Sequence, residues 1–228
     1  MQYTIEQISA ILKARHIGPQ SASTISRLLT DSRSLGFPEE TLFFAIKTKH
    51  GDGHHYIDEL YKRGVRNFVV NDSFDCTRYS DANFLVVRET VESLQMLAAH
   101  HRGRFDIPVV GITGSDGKTI VKEWLYQITA ENFVATRSPR SYNSQIGVPL
   151  SVWMLGEEST LGIFEAGISR QDEMDRLQKI IRPTIGIITN LSEAHQENFS
   201  NMQQKCSEKL SLFKECDVII YNGDNPIL

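Results

Sequence analysis

The residues with the most chemical content are Thr113-Gly114-Ser115-Asp116-Gly117-Lys118-Thr119, which stand between an apolar run and a helical pattern. Glycines at this point let backbone N–H groups turn inward onto an anion, and the helix that follows adds the positive end of its dipole. Lys118 is suited to neutralise the β- and γ-phosphates of a nucleoside triphosphate, and the Thr119 hydroxyl to ligate Mg2+. The full phosphate-loop spacing is not met, because Ile112 occupies the place of its first glycine; a shorter Gly-x-x-Gly-Lys-Thr pattern remains. Asp116 brings a carboxylate into the loop and is expected to point away from the phosphates. Glu165 follows a second apolar run, where it could reach a metal held by the triphosphate or simply cap a helix. His195 follows a third, after Thr189-Asn190. Imidazole is an unusual Mg2+ ligand, so by residue type alone His195 reads as readily as a packing residue. The His54-His55 and His100-His101 pairs do not read as metal sites, since adjacent side chains diverge on a helix.

The elements that must position these groups follow from periodicity. Residues 109–112, 161–164, 184–189 and 218–221 are apolar runs of strand length, the last reading as buried, with helices expected near 119–131, 171–181 and 202–214. Continuous apolar strands alternating with helices predict a parallel sheet covered on both faces. Upstream, Thr4 is an N-cap with Gln7 as its capping-box partner, and Ile5, Ile8, Ile11 and Leu12 form a helical stripe. Strands are expected at 42–46, 68–70 and 84–87, and helices at 56–63 and from Val91 to about Arg104. The fold class is therefore α/β: a small N-terminal α/β domain, then a parallel-sheet phosphate-loop ATPase domain, with a boundary expected near residue 88. The chain reaches a fresh strand shortly before its last residue, which predicts an incomplete second domain and a fragment of a longer protein.

Composition excludes several classes. With 228 residues, 40% hydrophobic and 23% charged, the chain suits a globular protein with room for two modest domains. A formal charge of −4 gives no basic face for nucleic acid. No run approaches ~18 uninterrupted apolar residues, so no membrane insertion is expected. Three cysteines without metal-ligand spacing read as reduced thiols and predict a cytoplasmic location.

Taken together, residues 112–123, residues 142–149, the Glu165-Ala166-Gly167 turn and the stretch from Thr189 to His195 resemble the central ATPase domain of the Mur ligases. Asp31-Ser32-Arg33, Leu42-Phe43-Phe44-Ala45 and Gly51-Asp52-Gly53-His54 resemble the N-terminal, UDP-binding domain of the same family. The resemblance keeps its order over nearly the whole chain. Within the family, Val121-Lys122-Glu123 and Glu193-Ala194-His195 are most similar to the member that adds D-alanyl-D-alanine to UDP-N-acetylmuramoyl-tripeptide.

That resemblance implies an ATP-dependent carboxylate–amine ligase of peptidoglycan precursor synthesis, working through an acyl phosphate. It implies that Thr113 to Thr119 hold ATP, with Lys118 on the γ-phosphate. Thr119 and Glu165 would hold one Mg2+ and His195 a second. It also implies a carbamylated lysine as a metal ligand, expected at Lys209, four residues before Phe213, with Lys205 a competitor. Asn143 would lie near the transferred group. Ser32, Arg33, Asp52 and His54 would line the UDP pocket of residues 1–88, and residues 89–228 would form the truncated ATP-binding domain. Arg33 suits a diphosphate through its fixed fork of donors. Ile120 departs from the second hydroxyl residue common in the family. The family's third domain has no counterpart in the sequence, so ligand binding without robust turnover is expected. The implied partners are small molecules, UDP-N-acetylmuramoyl-peptide and D-alanyl-D-alanine, and the chain is expected to be a monomer. Two alternatives stay open: a sister ligase adding diaminopimelate or lysine to the dipeptide precursor, and a non-catalytic nucleotide-binding module.

Overall fold

The computed structural model describes residues 1–19, 23–49, 51–192, 199 and 201–225. Two compact units divide the chain, Met1–Leu97 and Ala98–Leu228.

In the first unit, β1 (Tyr3–Thr4) leads into α1 (Ile5–Leu12). The capping box forms as its spacing predicts, with Gln7 N donating to Thr4 Oγ1 at 3.2 Å and Thr4 N to Gln7 Oε1 at 2.9 Å. Ile5, Ile8 and Leu12 bury one stripe of the helix. Then come β2 (Arg15–Ile17), β3 (Thr24–Ile25), β4 (Arg27–Leu29), β5 (Thr41–Phe44) and the small hairpin β6 (Lys47–Thr48) and β7 (Gly51–Asp52). A 3-10 turn over Gly53–Tyr56 runs into α2 (Ile57–Lys62), followed by β8 (Asn67–Asn71) and β9 (Asn83–Val87). The main sheet has the order β2-β9-β8-β5-β4. Its last four strands run parallel, and β2 lies antiparallel on β9. Phe43, Phe68 and Phe84 centre the core, with the Phe68 and Phe84 rings stacked at 5.2 Å. Because β4, β5 and β8 are parallel, the residues after them share one edge of the sheet, where ligands of such sheets gather.

Helix α3 (Thr90–Arg102) runs across the division between the units. Next are β10 (Val109–Thr113), α4 (Lys118–Thr129), β11 (Ala135–Arg137), α5 (Gly147–Val152) and β12 (Leu161–Glu165). They are followed by α6 (Glu173–Ile181), β13 (Ile185–Ile188), α7 (Met202–Leu210) with a 3-10 turn over Ser211–Phe213, and β14 (Val218–Ile220). The sheet order is β11-β12-β10-β13-β14, every pair parallel. Alternate residues divide between its faces, as a strand's period of two requires. Val109 and Phe164 pack with Val148, Met174, Leu177 and Leu212 on one side. Val110, Ile112 and Ile163 pack with Val121 and Leu125 of α4 on the other. This is the doubly covered parallel sheet expected from the apolar runs.

One expectation changes. The strand at 218–221 is present, but Val218, Ile219, Ile220 and Tyr221 are all exposed rather than buried, because β14 forms the edge of the sheet. Helix α4 also turns an apolar ridge outward: Ile120, Trp124 and Ile128, at four-residue steps, are exposed, Trp124 by 64%. Among the described residues no helix is long and apolar enough to cross a membrane.

Candidate active site

The site is built on the loop that joins β10 to α4. Thr113 ends the strand fully buried, its hydroxyl donating to Ala166 O at 2.9 Å. Gly114 then adopts φ +142°, and a Cβ there would fall 2.0 Å from Thr189 Oγ1. Only glycine permits that approach. Gly117 caps α4 at φ +78°. Between them the loop is held by the segment after β13. Ser115 N donates to Asn190 O and Asp116 N to Asn190 Oδ1, both at 2.9 Å, and Thr189 Oγ1 donates to Asp116 O at 2.6 Å. The Asp116 carboxylate accepts from Ser192 Oγ at 3.0 Å, which turns it onto that segment.

Lys118 folds back over the loop, its ammonium donating to Gly114 O at 2.9 Å and Ser115 O at 3.0 Å. Burial lowers its pKa, an effect that the Glu165 and Asp116 carboxylates oppose. Thr119, on the first turn of α4, donates from Oγ1 to Glu165 Oε2 at 2.9 Å. Glu165 ends β12 with no solvent exposure. Its other oxygen accepts from Asn143 Nδ2 at 3.4 Å, and its amide donates to Ser138 Oγ at 3.3 Å. Among the described residues no basic side chain lies within ion-pair distance of this buried carboxylate.

Helix α7 contributes two buried lysines. Lys209 Nζ donates to Gly114 O at 2.9 Å, the same carbonyl that Lys118 uses, and Lys205 Nζ donates to Ser192 O at 2.6 Å. Burial, with Lys118 and Lys205 as like-charged neighbours, lowers the Lys209 pKa to about 8. These groups face a cavity of about 300 Å³ lined by Gly114, Lys118, Asn143, Gly167, Lys205 and Lys209. A concave, cation-lined space at the carboxyl end of a parallel sheet is where an anionic nucleotide fits. The residues also fit a hard divalent cation. Thr119 and Glu165 present neighbouring oxygens, and the carboxylate lacks a basic partner among the described residues. No group of three or more His, Cys, Asp or Glu that could cage a metal occurs among the described residues. Mg2+ suits such a sparse set, since it binds through one or two carboxylates plus phosphate oxygens.

In the first unit, Ser32 is buried and Arg33 is exposed beyond the end of β4. Arg33 Nη2 lies 2.7 Å from Asp31 Oδ2. The hydrogen bond from Arg33 holds the Asp31 carboxyl below the usual carboxylate range. Asp52 Oδ1 accepts from His54 N at 3.0 Å and meets His54 Nδ1 at 2.6 Å. His54 Nε2 accepts from Asn71 N at 3.2 Å, which assigns the ring proton to Nδ1. Both ring nitrogens of His54 are thus engaged within the chain, whereas the Arg33 guanidinium projects into solvent.

Of the residues expected to act together, Gly114, Lys118, Thr119, Asn143, Glu165 and Lys209 meet around one loop. His195, with Glu193 and Ala194, lies outside the described residues. Sequence reasoning placed Asn190 after the third strand but missed that its backbone and side chain mould the phosphate loop. It missed Ser138 and Ser141, which approach Glu165 and Thr119. It also missed the depth of Lys122, a helix lysine by sequence and fully buried in the fold. Its signal was spacing, because residues 118, 119 and 122 share one face of α4.

The Mur ligase middle-domain family model matches residues 112–228. The UDP-N-acetylmuramoyl-tripeptide–D-alanyl-D-alanine ligase of Bacillus subtilis is 28% identical over 229 residues, covering 99% of this chain and 50% of that protein. Among solved structures, MurF from Acinetobacter baumannii superposes with a TM-score of 0.86 at 26% identity, over 97% of this chain and 49% of that one. The Thermotoga maritima MurF ligase, solved with ADP, gives 0.76 at 27% identity, over 88% and 46%. The chain spans about half the length of the relatives it matches. With the family model covering more than half of its residues and the phosphate loop of that domain in place, the chain belongs to the Mur ligase family.

Proposed function

We propose that the protein is an ATP-dependent carboxylate–amine ligase that joins D-alanyl-D-alanine to UDP-N-acetylmuramoyl-tripeptide through an acyl phosphate, in the cytoplasm and as a monomer. The observation that carries this reading is the Thr119–Glu165 oxygen pair, 2.9 Å apart, beside a phosphate loop flanked by Lys118 and Lys209. The relatives named for this reaction and the ADP bound to one of them support it.

In this reading the loop from Thr113 to Thr119 binds the triphosphate. Lys118 exchanges the carbonyls of Gly114 and Ser115 for phosphate oxygens, which are better partners for an ammonium. Thr119 and Glu165 hold one Mg2+, and His195 a second. When bound, the metal screens charge between the phosphates and the approaching carboxylate. Asn143 orients Glu165 and stands beside the transferred group. Lys209 carries a carbamate. Its buried amine suits that role, because a pKa near 8 leaves about a tenth of it neutral and nucleophilic at pH 7. Residues 1–88 bind the UDP end, with Arg33 on the diphosphate, Ser32 beside it, and His54 fixing Asp52. Residues 89–228 bind ATP. The chain's main task is alignment of two anions that repel each other.

The test is calorimetric titration of this chain with UDP-N-acetylmuramoyl-tripeptide and with the dipeptide precursor. Both share the UDP end, so a tenfold preference, ~1.4 kcal/mol, isolates the peptide end. Preference for the tripeptide is expected. Preference for the dipeptide assigns the chain to the sister ligase that adds diaminopimelate or lysine. Binding of neither overturns the reading of the first unit.

A further inference from the structure

Lys122 lies one turn into α4, and its side chain has no solvent exposure. An ammonium leaves water only where its protons find partners. Here Nζ donates to Ser138 O at 2.7 Å and to Arg140 O, and Glu123 Oε1 lies 3.2 Å away. Glu123 is held in turn through its other oxygen by Arg137 Nε at 2.9 Å. The Arg137 guanidinium stacks on the Tyr126 ring at 3.7 Å. The chain therefore spends a buried charge, and a braced counter-ion, on two carbonyls of one loop.

That loop, residues 138–143, contains no helix or strand, and Arg140 sits in left-handed backbone at φ +48°. A non-glycine residue holds that conformation only when its surroundings impose it. The other contacts of the loop fall on the site. Ser138 Oγ accepts from Glu165 N at 3.3 Å, and Ser141 Oγ lies 3.2 Å from Thr119 Oγ1. Asn143 Nδ2 reaches Glu165 Oε1 at 3.4 Å, while Asn143 O accepts from Gly167 N at 2.8 Å. The loop thus touches Glu165 at its backbone and at one carboxylate oxygen, and touches the hydroxyl that meets the other oxygen.

We propose that Lys122 is a positioning residue for the cation held between Thr119 and Glu165: it pins residues 138–143, and through them fixes the direction of both oxygens. The inference rests on the reading that these two oxygens hold Mg2+. Lys122 itself touches neither nucleotide nor metal. The loss of such an outer partner lowers metal affinity by about 10–100-fold in other sites. A merely structural lysine would lower thermal stability and leave the metal's contribution to binding intact.

The experiment is calorimetric titration of ATP into the 228-residue chain and its Lys122→Met variant, in chelator and in Mg2+, with Mn2+ binding to the ATP-loaded chains read by electron paramagnetic resonance. The expected result is ATP affinity in chelator like that of the unsubstituted chain, with Mn2+ affinity and the Mg2+-dependent gain down at least tenfold. An unchanged Mg2+ gain in folded Lys122→Met overturns the inference and leaves the proposed function standing. Failure of the unsubstituted chain to bind ATP in either condition removes the underlying reading, and the inference with it. If Lys122→Met does not fold, Glu123→Gln decides, since it removes only the half-exposed counter-ion. A smaller loss of metal affinity in that variant supports the inference, and none overturns it.

Discussion

Lys209 and Lys118 share one acceptor, the Gly114 carbonyl, so two ammonium groups are held close together with Lys205 nearby. For Lys209 the folded pKa lies below the ordinary value of 10.5, at about 8, mainly through burial. The fold therefore carries a penalty for the protonated amine, present in full below pH 8. The penalty is relieved as the pH rises from 8 towards 10.5, where the unfolded chain loses its proton too. Its ceiling is ~3 kcal/mol, less about 1 kcal/mol for the hydrogen bond to Gly114. In CO2-depleted buffer, where Lys209 is a free amine, Lys209→Met is expected to stabilise the ligand-free chain at pH 7, with an advantage that shrinks between pH 8 and 10.5 in urea melts. Lys118→Ala should weaken ATP binding at least tenfold with or without metal. Glu165→Gln should remove mainly the gain that Mg2+ provides, and paired titrations in chelator and in Mg2+ separate the two. The placement of Lys118, Thr119 and Glu165 at the carboxyl end of the sheet was legible because each stands at or just past the end of an apolar run. Lys122 and Lys205 were not, because burial of a helix lysine depends on what the rest of the chain packs against it.

Between strands, the phosphate loop and the segment after β13 are moulded onto each other by Asn190, Thr189 and Ser192. Gly114→Ala tests how tightly, because the added carbon would lie 2.0 Å from Thr189 Oγ1 in backbone that L-residues avoid. The backbone strain alone costs about 1–3 kcal/mol. The variant is expected to melt earlier and to bind ATP at least tenfold more weakly, which differential scanning fluorimetry with and without ATP reads in one series. Long elements of this unit were legible from their periods: β10, β12, β13, α4 and α6 fall within a few residues of expectation. Helix α7 stops at Leu210, short of the expected 214, because its last turn tightens into the 3-10 turn over Ser211–Phe213. Strand β11 has three residues, too few to show an alternation. Helix α5 begins Gly147-Val148-Pro149, which reads as a loop, yet proline is tolerated in a first turn, where its missing N–H has no intrahelical partner. The strands of two or three residues in the first unit escaped notice for the reason β11 did.

At the scale of the molecule, His101 is expected to contribute to acid sensitivity. The ring is buried against Trp153, at 4.6 Å between centroids, with Nε2 3.0 Å from Leu155 O. Burial lowers its pKa from 6.5 to about 4, against the opposing effect of that carbonyl. The unfolded chain thus binds a proton more readily between pH 6.5 and 4, and stability falls as the pH drops through that window. The loss attributable to His101 is ~2 kcal/mol at pH 5. His101→Gln keeps a donor for Leu155 O and should flatten the difference between urea midpoints at pH 7 and pH 5. An undiminished difference would assign the acid sensitivity to other groups.

The chain has two tryptophans, and both belong to the second unit: Trp124 on the outward ridge of α4 and Trp153 packed against His101. Their surroundings differ enough to separate them by colour, since indole emission shifts to longer wavelength in water than in a core. The red-emitting, acrylamide-quenchable component then belongs to the helix whose first turn carries Lys118 and Thr119, and the blue component to the interior. Tryptophan emission, excited selectively, is therefore blind to the first unit, while circular dichroism sees both. A mismatch between the two melting curves would report that the units come apart separately, with no label added.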